Sequence, residues 1–311
     1  MPQPGRLGGD EAGAGVVSGE RVPPPIAVAP LPASRPRIVL LDLDGTCLDL
    51  RDQSLHPRTR DAVRAAVRSG ATVVIASGRM YRSALPWARE LQVTAPLVCY
   101  QGAVVRAMPR EGDPLVDGVP LGELLFEDGL QPDVALHALR VARDGGWHRQ
   151  AYQDEQLLCE EDRPEAHLYA QIADVPITFV DDLEARLQRG STKFVCVVDG
   201  SPGVDECEQA LHRALDATAR VKRSLPQFVE VTDRRAGKGN ALRRLCERLG
   251  VDLRDSVAVG DAPNDADMLE AAGYAVAVAG APPELLGIAD AVCGGPAEAG
   301  VAAVLERLGL A

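Results

Sequence analysis

A chain of 311 residues, 46% hydrophobic and 25% charged, has room for one large α/β domain or two smaller ones around a substantial core. A net charge of −12 argues against nucleic-acid or membrane-surface partners, and no apolar run is long enough to span a bilayer. Residues 1–36 are rich in Pro, Gly and Ala and lack the basic start and apolar block of a signal peptide, so a disordered tail is expected there. The seven cysteines, at 47, 99, 159, 196, 207, 246 and 293, form no C-x-x-C pair. Reduced thiols in a cytoplasmic protein are the expectation.

The first predicted element lies in RIVLLDLDGTCLDL, Arg37 to Leu50. Its run Ile38-Val39-Leu40-Leu41 reads as a strand buried on both faces, which then ends in two carboxylates, Asp42 and Asp44, followed by Gly45 and Thr46. HPRTRDAVRAAVRSG has a proline near its start, a glycine at its end, and Ala62, Val63, Ala66 and Val67 at helical spacing. ATVVIASGR predicts a second buried strand, ending in Ser77, Gly78 and Arg79. YRSALPWARELQV predicts a helix disturbed by Pro86, and PLVCYQGAVV a third strand. Strand–helix–strand alternation with apolar strands predicts an α/β fold, a doubly wound Rossmann-like parallel sheet covered on both faces.

From about Asp113 to Asp233 the texture changes. Strands such as TKFVCVVDG and QFVEVTD alternate with long polar helices, VALHALRVARDGG and GVDECEQALHRALDATAR, and predict an inserted α+β module. Afterwards GKGNALRRLCERLGV predicts a helix, DSVAVGD a strand, PNDADMLEAAG a helix, YAVAVAG and DAVCGG short strands, and AEAGVAAVLERLGL a closing helix. The expected division is a core split into 37–112 and 234–311, with 113–233 as a cap.

Open α/β sheets place ligands at the carboxyl ends of their strands. Four such places carry polar groups here: Asp42 with Asp44, Ser77, Lys238 at a helix start, and Asp261 with Asn264 and Asp265. Each alone has an ordinary reading as a turn, a cap or a solvated side chain. Together they supply one group for each job in phosphoryl transfer through an enzyme aspartate. A carboxylate attacks phosphorus, and a cation with oxygen-only ligands, Mg²⁺, neutralises the two anions. A second acid serves the leaving alkoxide and then the water, while a hydroxyl and an ammonium hold the phosphoryl oxygens. Of 33 basic residues only Lys193, Lys222 and Lys238 are lysines, which makes each survivor informative. A compact ammonium that must reach a nucleophile and a phosphate is not replaceable by a planar guanidinium.

DLDGT, ASGR, GKGNAL and GDAPNDADML resemble the four motifs of the haloacid dehalogenase-like (HAD) phosphatases. Their arrangement resembles the Cof-type (class IIB) subgroup, whose α+β cap is inserted between the second and third motifs. The resemblance runs from Arg37 to Leu308. It implies Asp42 as nucleophile, Asp44 as general acid/base, and Mg²⁺ held by Asp42, the Asp44 backbone carbonyl and Asp261, with Asp265 completing or supporting the metal shell. Asn264 and Lys238 would orient nucleophile and phosphate, Ser77 beside Gly78 would bind phosphate, and Gly45 and Thr46 would shape the loop around the phosphoryl oxygens. Two departures stand out: Ser77 where many relatives have threonine, and YQGA, with Gln101, where Cof-type relatives more usually have Asn-Gly-Ala.

The implied activity is hydrolysis of a small phosphorylated metabolite, a sugar phosphate or nucleotide-derived phosphate, with the cap setting specificity. A phosphotransferase or hexose-phosphate mutase would use the same intermediate, and a relative that only binds metabolites would have lost the chemistry. A signalling receiver shares the fold but is far shorter and has no large insert. Cys47 beside the site reads as a packing residue, the five histidines show no zinc spacing, and Lys193 is either a substrate contact or a packing residue of the cap. Oligomeric state is not legible.

Overall fold

The computed structural model describes residues 31–311 except 33, 199, 201 and 202, so most of the expected tail, 1–36, lies outside the described residues. Two large sheets organise the chain. The first has eight strands in the order Ala291–Cys293, Tyr274–Val278, Ser256–Gly260, Ile38–Asp42, Thr72–Ala76, Leu97–Cys99, Val104–Arg106 and Leu124–Glu127. Six of them run parallel, and the last two are antiparallel additions at one edge. The central strands are buried along their whole length, as strands covered on both faces must be.

The chain leaves Ile38–Asp42 toward one edge through Thr72–Ala76 and Leu97–Cys99, then restarts on its other side at Ser256–Gly260. That reversal of direction opens a crevice beyond the carboxyl ends of the adjacent central strands. Asp42 stands at its edge.

The second sheet has six strands in the order Ile177–Phe179, Gln156–Cys159, His148–Gln153, Lys193–Val197, Phe228–Asp233 and Ala219–Leu225. Its pleat sends alternate residues to opposite faces. Phe194 and Cys196 pack in one core with residues of the helices Pro132–Asp144 and Gly203–Leu215, whereas Val195 and Val197 join the main core.

Two expectations change in detail. The predicted strand PLVCYQGAVV is two antiparallel strands, Leu97–Cys99 and Val104–Arg106. The chain reverses between them through three residues with positive φ, Tyr100 at 51°, Gln101 at 58° and Gly102 at 93°. Leu124–Glu127, inside the segment expected as cap, pairs with Val104–Arg106 and so extends the eight-stranded sheet. The chain therefore changes sheets between Glu127 and His148 and returns between Asp233 and Lys238. We propose these crossings, in place of 113 and 233, as the limits of the cap.

The crossings are tied to each other. Asp128, 4% exposed, accepts from Arg244 Nη1 at 3.0 Å and lies 3.7 Å from Arg235. The Arg244 guanidinium lies 3.7 Å from the centre of the Phe126 ring. Among the described residues all seven cysteines are buried and unpaired, and no helix is long and apolar enough to cross a membrane.

His148 heads a strand of the second sheet, and burial pushes its imidazole down to about 4. The unfolded chain, with an ordinary histidine near 6.5, therefore takes up a proton first as pH falls. Its contribution to stability is intact above that value and is lost as the pH drops toward about 4. Thermal unfolding should show a smaller loss of Tm between pH 7 and pH 5 in His148→Gln than in the parent chain.

Candidate active site

Asp42 is the last residue of its strand and only 4% exposed. An isolated carboxylate there would be costly. Lys238, the fully buried first residue of the helix Lys238–Leu249, donates from Nζ to Asp42 Oδ1 at 2.5 Å and to Asp265 Oδ1 at 2.6 Å. Burial disfavours the ammonium, but Asp265 and Asp42 outweigh burial and hold it above the ordinary lysine range. Burial and then the Asp265 charge push the Asp42 carboxyl well up, against the pull of Lys238.

Asp265 is held from both sides. Its Oδ2 accepts from the backbone amides of Asp261 and Ala262, each at 3.0 Å, so both of its oxygens are engaged. Thr46 Oγ1 donates to Asp261 Oδ1 at 2.7 Å. Gly45 has φ +90°, and a Cβ there would overlap the Asp261 carboxylate. Glycine is what lets the loop after Asp44 pass so close. Burial also raises Asp261.

One oxygen from each of Asp42, Asp261 and Asp265 falls within 4.8 Å of the others. Clustered carboxylate oxygens, with no nitrogen or sulfur donor among them, suit a hard cation such as Mg²⁺. The residues present fit that ion.

Asp44 is more open than Asp42, its side chain 31% exposed. Arg79 grips both of its oxygens, Nε to Oδ2 at 2.8 Å and Nη2 to Oδ1 at 2.5 Å, and Nη2 also donates to Gln53 Oε1. Ser77 is fully buried directly after the second strand, and its Oγ accepts from the Arg79 amide at 3.1 Å. At Gly78 a Cβ would strike the Gln101 side-chain amide. Gln101 in turn accepts from Asn264 Nδ2 at 2.8 Å.

The structure therefore gathers Asp42, Lys238, Asp261, Asp265 and Thr46 in one bonded cluster, with Gly45 packed close to Asp261 and with Asp44, Ser77 and Gly78 beside it. Asn264 differs from expectation, because its side-chain amide meets Gln101 and not the nucleophile or Lys238. Reading the sequence missed Arg79 and Gln53 as holders of Asp44. A cation two residues beyond the Ser77 strand end, in a sheet with two acids at the next strand end, was the available signal. Cys47 is fully buried, and burial followed by the Asp42 charge raises its thiol well above the usual range, which fits a packing role.

A family profile described as haloacid dehalogenase-like hydrolase matches residues 39–305, almost the whole described chain. The chain belongs to the haloacid dehalogenase-like hydrolases. Among its HAD relatives, HMP-PP phosphatase of Cronobacter sakazakii is 28% identical over 257 residues, covering 80% of this chain and 86% of that protein. Phosphatase YwpJ of Bacillus subtilis is 27% identical and covers 88% and 99%. A solved Thermotoga maritima structure superposes with a TM-score of 0.76 at 30% identity, covering 87% of this chain and 97% of that one. The HAD fold is shared with a class IIB sugar phosphatase, with a TM-score of 0.74 at 17% identity.

The bonding around Lys238 gives a direct test. Removing the ammonium by Lys238→Met leaves two buried carboxylates without their counter-charge, which should cost about 3 kcal/mol at pH 8 in metal-free buffer. Urea unfolding at pH 5.5 should show a smaller deficit, because the Asp42 carboxyl, raised by burial, then takes up a proton more readily.

Proposed function

We propose that this HAD phosphatase is Mg²⁺-dependent and hydrolyses a small phosphorylated metabolite through an aspartyl-phosphate on Asp42. The observation that carries the reading is the buried Asp42, bonded to Lys238 and sharing an all-oxygen cluster with Asp261 and Asp265. The relatives named HMP-PP phosphatase support a small phosphorylated metabolite and make HMP-PP the first substrate to assay.

In this mechanism Asp42 attacks phosphorus and the substrate alkoxide leaves. Asp44 gives that alkoxide a proton, then takes one from the water that cleaves the aspartyl-phosphate. The Arg79 fork takes one site on each Asp44 oxygen and fixes the carboxylate's orientation, while its exposed remainder can still pass a proton. The Ser77 hydroxyl and the Lys238 ammonium hold phosphoryl oxygens as charge redistributes. Lys238 also fixes the orientation of Asp42, and Thr46 fixes that of Asp261. Asp42, the Asp44 carbonyl and Asp261, with Asp265 supporting that set, would hold Mg²⁺, which when bound would supply the positive charge that lets two anions meet.

Asp42→Asn should lower hydrolysis of an aryl phosphate by at least about a thousandfold with an unchanged circular dichroism spectrum. Residual turnover within tenfold of the parent would contradict the assignment of the nucleophile. EDTA should abolish phosphate release by the parent enzyme, and added Mg²⁺ should restore it. Restoration by Zn²⁺ alone would point to a different ion.

A further inference from the structure

The three lysines of this chain converge on one place. Lys238 lies in the catalytic cluster. Across from it, on the six-stranded sheet, Lys222 lines and Lys193 backs a cavity of about 150 Å³ whose other wall includes Gln101, Gly237 and Asn264. Gly237 immediately precedes Lys238, so the cavity adjoins the catalytic cluster. It is small beside the roughly 300–1,000 Å³ of sites that take drug-sized ligands, which favours a compact group beyond the reacting phosphorus.

The charges in this wall are unevenly matched. Lys222 stands opposite Glu230 in antiparallel register, a pairing that ordinarily brings opposite charges together. Glu230 is taken from the other side. Its Oε1 accepts from Lys193 Nζ at 3.3 Å and from Ser224 Oγ at 2.7 Å. Lys193 is 1% exposed, with the rings of Tyr152 and Tyr169 centred 4.8 and 5.1 Å from its ammonium, so it is a holder of Glu230 and does not face substrate.

The other charged groups of the wall are also engaged. Arg223 pairs with Asp205 and Glu208 at 2.6 and 2.5 Å, Arg220 donates to the Arg234 carbonyl at 3.2 Å, and Asp267 accepts from the Gly239 amide at 3.1 Å. Lys222 remains exposed on the cavity, within the field of Asp267 but with no hydrogen bond or ion pair to any described residue.

We infer that Lys222 seats a second anionic group of the substrate, a phosphate or carboxylate on the leaving-group side of the phosphorus that reacts at Asp42. This rests on the phosphatase reading above and narrows it to doubly anionic, compact metabolites. Specificity then comes from a charge the fold leaves deliberately unmatched, because Lys193 draws off the acid that would neutralise it.

Three non-hydrolysable probes separate the possibilities in calorimetric titrations of the Mg²⁺-loaded protein. Methylphosphonate carries one anionic group, methylenediphosphonate adds a second phosphonate, and phosphonoacetate adds a carboxylate. At least one of the last two should bind about tenfold more tightly than methylphosphonate, the worth of one charge-assisted hydrogen bond. In Lys222→Ala that margin should vanish, and in Lys222→Arg most of it should return. Which probe holds the margin tells phosphate from carboxylate. Equal affinity for all three probes, or a margin that survives Lys222→Ala, overturns the inference. Failure of the Mg²⁺-loaded parent enzyme to release phosphate from any aryl phosphate or phosphorylated metabolite would sink the phosphatase reading on its own, whatever the binding margin.

Discussion

The ammonium of Lys238 lies between the carboxylates of Asp42 and Asp265, buried with them, and joins positions 196 residues apart in the chain. Without it, two anions would sit at the ends of adjacent strands in a region that water barely reaches, and burial alone already pushes Asp42 toward its neutral form. With it, the first strand can end in a carboxylate, and the helix Lys238–Leu249 is pinned over the crevice where the sheet changes direction. Asp265 then transmits the arrangement outward. Its second oxygen gathers the amides of Asp261 and Ala262 and fixes the loop that carries the third carboxylate.

The rest of the site is arranged so that these groups keep distinct duties. Asp42 is buried and bonded to a single ammonium, whereas Asp44, two residues later on the same loop, is partly open and held by a guanidinium fork. Strict alternation would put residues two apart on one face, but the chain bends at Leu43, directly after the strand, and the two carboxylates meet different surroundings. Gly45 lets the loop pass within reach of Asp261, and Thr46 fastens it there. The strained Tyr100–Gly102 turn adds a second support, carrying Gln101 over Gly78 and onto Asn264.

Much of this was legible in the sequence, for physical reasons. Strands covered on both faces leave unbroken apolar runs such as Ile38–Leu41, and a carboxylate at the end of such a run is conspicuous. The helix Pro57–Arg68 announces itself through its opening proline and the spacing of Ala62, Val63 and Ala66. The turn at Tyr100 and Gln101 was not legible, because non-glycine residues carry no mark of positive φ. Leu124–Glu127 was read with the cap because a half-exposed strand does not declare which sheet it will join. The Arg79 fork and the capture of Glu230 by Lys193 depend on distances between separate elements, which spacing along the chain does not encode. The rarity of lysine flagged Lys193 correctly as unusual, while its partner lay 37 residues away on a neighbouring strand.

Asp128 stands where the chain leaves the eight-stranded sheet, and it engages Arg235 and Arg244 just after the chain has come back. The outgoing and returning connections are thus clasped to each other instead of being spread across the interface. Together with the packing of Val195 and Val197 into the main core, this clasp ties the lysine-bearing sheet to the catalytic half at two separate places. Lys222 is thus carried on a wall anchored at both places, and an arriving compact anion would meet a seat whose position the fold has set beforehand.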